Sequence, residues 1–165
     1  MLGLTTLGVV HTAISLIAVA AGILALLRDG AISPRNRIGR IYVITTILTC
    51  VTGFGIFQHG GFGKPHALGI ITLVVLSVAA LAERTRSFGR AAPYVETIGY
   101  SATFLFHLIP GITETTTRLP PGAPLVANAD APELQKAAAV LFVLFLIGAA
   151  LQVRRLRATR RATTS

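Results

Sequence analysis

Apolar runs close to twenty residues long recur along this chain, and a helix of about that length crosses the roughly 30 Å hydrocarbon core of a bilayer. Few folds accept such a pattern. Hydrophobic residues make up 53% of the 165 positions and charged residues only 13%, so the chain reads as an all-α integral membrane helical bundle. A formal net charge of +9 does not point to nucleic acid, because the basic residues gather in short segments beside the apolar runs.

Five transmembrane spans are predicted, at about 2–27, 34–58, 65–82, 93–109 and 131–153, in one domain over 1–153 with a basic tail at 154–165. The first lacks a positive charge ahead of its apolar run and is read as a retained helix rather than a cleaved signal. Ser33-Pro34, Lys64-Pro65 and Ala92-Pro93 place proline in a first helical turn, where its missing N–H costs nothing. Asp130 and Glu133 form a capping-box pattern, and Pro110-Gly111 is expected to close the fourth span. The segment 111–130, stiffened by Pro120, Pro121 and Pro124, becomes the long loop. It is either a spacer or a lid over the adjacent end of the bundle.

Arg28, Arg35, Arg37 and Arg40 lie in the first loop, Arg84, Arg86 and Arg90 in the third, and five arginines in the tail. By the positive-inside rule these segments are cytoplasmic, the amino terminus is outside, and the protein belongs to a bacterial inner membrane.

All four histidines, His11, His59, His66 and His107, then fall at one level. Counted at 1.5 Å per residue from the cytoplasmic helix ends, they lie roughly 24, 27, 24 and 21 Å away. That is a slab about 6 Å thick under the outer interface. His59 and His66 flank a glycine turn and are equally read as interfacial residues. His11 and His107 sit within apolar runs, where an unpaired ring costs several kcal/mol; an interhelical bond to a threonine is the bland alternative. Tyr100, Thr103 and His107 share one helical stripe, as do Thr45, Thr49, Thr52 and His59, while Ser15 is one turn from His11. Glu114 is the carboxylate nearest the layer.

Three or four imidazoles at one depth suit a transition metal such as copper, zinc or iron, held by the four histidines with Glu114, for redox chemistry or metal handling. A b-type haem between His11 and His107, with Gly8, Gly53, Gly55 and Gly99 making room, is the second candidate; His59 and His66 would then serve proton exchange with a quinone or another redox partner. The third is a non-catalytic subunit or small transporter, in which the basic tail binds anionic lipid or a partner, such as another copy in an oligomer. Phosphate-binding glycine loops, nucleophile elbows and HExxH helices are missing from the sequence, as are evident internal repeats. Cys50, the single cysteine, permits no internal disulfide and reads as a small buried side chain.

The first half of the chain carries a histidine early in its first helix, a basic loop, and then Gly39-Arg40-Ile41-Tyr42 opening the second helix. In this it resembles a widespread group of small bacterial multi-pass membrane proteins of unknown function. That group often has His-Arg ahead of the motif, where Arg35-Asn36 stands here. In its histidine layout the chain is also similar to haem-bearing membrane cytochromes, though it matches none of their motifs.

Overall fold

A computed structural model describes residues 5–56, 61–85 and 87–162. His59, Gln58 and Arg86, on which parts of the sequence reading fall, lie outside the described residues. The remainder is helix and turn, with no strand among the described residues. Five helices follow in order: α1 Thr6–Asp29, α2 Arg37–Gly53, α3 Lys64–Arg84, α4 Ala92–Arg118 and α5 Pro132–Ala162. A single 3-10 turn, Gly89–Ala91, precedes α4. The helices α1, α3 and α5 are long and apolar enough to cross a membrane, and bulky apolar side chains such as Leu24, Val74 and Leu144 stand exposed on them, as lipid contact requires. At 17 residues, α2 is about 26 Å long.

The helix ends follow from local chemistry. Thr5 accepts the Gly8 N–H at 3.1 Å, and Gly30, at φ 70°, ends α1 in the left-handed conformation that glycine adopts without strain. Asn36 accepts the Gly39 N–H at 2.9 Å and caps α2. The expected Asp130–Glu133 box does not form. Asp130 instead pairs its carboxylate with Lys64 at 2.7 Å, tying the start of α5 to the start of α3.

Packing is chiefly α1 on α2, α3 on α4 and α5 on α4. Small residues let the axes approach: Ala18, Ala21, Gly22 and Ala25 are buried along one side of α1, and a Cβ at Gly99 would lie 2.9 Å from Ala79 Cβ across the α3–α4 contact. Tyr42 and Tyr100 fill the centre, almost wholly buried with Ile32, Leu76 and Ala79.

Two boundaries differ from the sequence reading. Pro110 does not end α4, which runs on to Arg118. Proline removes one backbone bond and the helix continues past it; beyond it Thr113, Thr115, Thr116 and Thr117 each turn the hydroxyl onto a carbonyl four residues back. The loop therefore shrinks to 119–131. The second difference is at the tail: α5 continues through the basic segment to Ala162.

Candidate functional site

The end of the bundle formed by the first turns of α1 and α3, the last turns of α2 and the second half of α4 carries the described histidines. The other end carries the described arginines except Arg118. A cavity of about 260 Å³ opens at the histidine end, between α1, α2, α3 and α4. His11, His66 and His107 line it from three different helices, together with Glu114 and Arg118. Most of the remaining wall is apolar or small: Gly8, Cys50, Gly53, Phe54, Leu68, Gly69 and Phe106. Counting residues along the helices thus brought together three of its four histidines and Glu114.

Each histidine is held by a neighbour. His11 Nδ1 lies 3.0 Å from Thr52 Oγ1 on α2, and that hydroxyl also reaches the Leu48 carbonyl of its own helix at 2.8 Å. A Cβ at Gly53 would come within 3.2 Å of His11 Cε1, so glycine leaves room for the ring. His107 is buried, with Nε2 3.0 Å from Thr46 Oγ1 and its ring edge-on to Tyr42 at 6.1 Å between centroids. His66 Nδ1 accepts the Gly63 N–H at 3.2 Å, steadying the first turn of α3, and its ring lies against Phe62.

The Tyr100–Thr103–His107 stripe faces inward, all three buried. Tyr42 donates to Thr103 Oγ1 at 2.8 Å, since the Thr103 proton goes to the Tyr100 carbonyl, also 2.8 Å away. Thr46, the partner of His107, was missed. The stripe counted from Thr45 passes it by, whereas one counted from Tyr42 of the Gly-Arg-x-Tyr motif runs through Thr46, Thr49 and Gly53 at helical spacing. The motif itself acquires a physical basis: a Cβ at Gly39 would lie 1.9 Å from the Ser33 carbonyl oxygen, Arg40 is exposed, and Tyr42 is core.

The loop does not form the lid that its prolines allow. Loop residues 119–131 do not line the cavity; Val126 N–H and Leu125 N–H bond the Thr116 and Leu119 carbonyls, folding the loop back on the end of α4 rather than over the opening. At the mouth, Arg118 instead bonds Glu114 one turn away on α4. Gly8 and Gly53 belong to the wall, Gly99 to the α3–α4 packing and Gly55 to a contact with Leu7. Among the described residues, no three of His, Cys, Asp and Glu stand close enough to hold a metal ion.

Fold and cavity together define a helical protein with three apolar helices of membrane-crossing length and a histidine-lined site at one end. No family model matches the chain, and neither a curated protein nor a solved structure does.

Proposed function

We propose that this chain is a five-span membrane protein of a bacterial inner membrane, arginine end cytoplasmic, that binds a small ring-bearing molecule in the cavity under its outer face. The carrying observation is that His11, His66 and His107, from three helices, converge on one mainly apolar cavity. Apolar walls with a few convergent polar groups are what a binding site for an organic molecule looks like. An apolar cavity of about 150 Å³ holds benzene, so about 260 Å³ suits one substituted ring or two. A four-pyrrole haem calls for more room than that. Copper, zinc or iron would need a third ligand from beyond the described residues, of which His59 is the obvious source.

The test is made on detergent-purified protein, by thermal stabilisation with a panel of one- and two-ring membrane-soluble compounds, with elemental analysis and an absorption spectrum of the same sample. Saturable stabilisation that His107→Phe abolishes is the expected result. A stoichiometric transition metal, or a Soret band, with no response to any ring compound would overturn it.

A further inference from the structure

The helix α5 stands apart from the other two long apolar helices. Only 6% of its apolar stretch is buried, against 22% for α1 and 28% for α3, because it packs on α4 alone. It is also longer than a bilayer core: its 31 residues make about 46 Å, half as long again as roughly 30 Å of hydrocarbon. The surplus is the stretch 154–162, still helical and carrying Arg154, Arg155, Arg157, Arg160 and Arg161. It is held against its neighbours, since Arg155 donates to the Asp29 carbonyl and Arg160 lies 5.6 Å over the Tyr94 ring.

The face of α5 turned away from α4 is ordered along its length. Gln152 bonds Ser101 and so marks the α4 side. At about 3.6 residues per turn, Val143, Ile147, Arg154 and Arg157 all fall on the opposite side of the helix, and all four are exposed. Two apolar side chains are followed, along one line, by two guanidiniums. Among the described residues no carboxylate pairs with either; Asp29, Glu83 and Glu96, the acids of this end, hold Arg28 and Arg35 instead. At the other end the charges balance, with Lys64, Arg118 and Lys136 against Glu114, Asp130 and Glu133.

We infer that this outer face of α5 is a docking surface for an anionic phospholipid, its acyl chain along Val143 and Ile147 and its phosphate at Arg154 and Arg157. The inference goes beyond the ring-binding cavity and rests only on the membrane part of that proposal. A headgroup whose phosphate is its only charge matches guanidiniums with no carboxylate beside them. A zwitterionic lipid brings an ammonium as well, which they repel. Each such arginine at the membrane surface is worth roughly fivefold in affinity. The lipid then supplies a second wall to a helix that has one protein neighbour.

The test places the full chain in lipid nanodiscs and compares how strongly it immobilises spin-labelled phosphatidylglycerol and spin-labelled phosphatidylcholine. Phosphatidylglycerol should be preferred, less so at high salt. Arg154→Gln should cut the preference roughly fivefold, and Arg154→Gln with Arg157→Gln should remove most of it. Arg37→Gln with Arg40→Gln takes the same charge from exposed positions on α2 at the same end and should leave the preference nearly intact; a melting curve for each variant checks the fold. Equal immobilisation of the two lipids by the unmodified chain overturns the inference, and so does an equal loss from the α2 pair, which would make the attraction diffuse. Binding of a short RNA oligonucleotide at these arginines, with no lipid preference, overturns it in favour of a soluble polyanion. In each of these cases the membrane reading stands. A chain that does not enter the discs overturns both.

Discussion

The two ends of the bundle use polar residues in opposite ways. At the arginine end they knit helices together. Arg35 grips buried Glu96 with two nitrogens, at 2.7 and 2.8 Å, and reaches Glu83 at 3.5 Å. Gln152 of α5 donates to the Gly30 carbonyl at 3.0 Å and exchanges bonds with Ser101, while Arg155 donates to the Asp29 carbonyl. At the histidine end, His11 and His107 each use one ring nitrogen on a threonine and stand beside a cavity. One end is saturated and the other retains capacity. On the proposed function stability rests on the first end and ligand chemistry on the second, so substitutions at each end should separate melting from binding.

The largest effect is expected from Gly39→Ala. The added methyl would overlap the backbone carbonyl of Ser33, which cannot swing aside as a side chain would, and overpacking of this kind costs about 3 kcal/mol. The purified variant should melt many degrees lower or fail to accumulate. Arg35→Ala comes next: it strands the Glu96 carboxylate, which is 7% exposed. Arg35 itself is half in solvent, so the loss is about 2 kcal/mol rather than the larger figure for a fully buried pair. Glu96→Gln should lose less, because no unpaired charge remains. If Arg35→Ala melted like the parent but altered ligand binding, the assignment of the two ends would be reversed.

Gln152→Leu is expected to lower stability by about 1–2 kcal/mol, since Ser101 and the Gly30 carbonyl lose partners where water is scarce. Gln152 and Leu134 are the buried residues of α5, so the effect should show as local exchange of α5 amides before global melting. Tyr42→Phe, at the boundary between the ends, removes the bond to Thr103 and should cost about 1 kcal/mol without altering ligand affinity. Its ring packing against Phe104 and His107 would persist.

How far the sequence alone reached follows the same division. Apolar run lengths located all five helices, and counting back from the arginines put His11, His66 and His107 on one level, because rise per residue is fixed along a helix. What counting does not supply is azimuth. His107 faces Thr46 and not the Thr45 stripe, a choice made by interhelical packing through Gly22, Ala79 and Gly99. Pro110-Gly111 also misled, since a stop signal drawn from water-exposed helices carries less weight where the backbone has few other partners. The loop then came out shorter than its prolines implied. His59, which falls between α2 and α3 in the sequence, lies outside the described residues.

The smallest effect belongs to a polar contact that serves neither end. Lys64 and Asp130 are 2.7 Å apart but both largely exposed, and the Lys64 ammonium holds the Asp130 carboxyl below its ordinary value of 3.8. A carboxyl depressed in the folded state stabilises above its unfolded pKa and loses that contribution as pH falls through the folded one. Any benefit is therefore complete at neutral pH and fades only below about pH 4. Solvent and salt screen such a pair almost entirely. Asp130→Asn should leave the melting temperature and ligand binding unchanged at pH 7, with faster amide exchange confined to 119–131 at low salt and gone at high salt. If Asp130→Asn instead weakened ring binding, the loop would have to reach the cavity mouth in the bound state, and the division between a saturated end and an open one would need a third, mobile part.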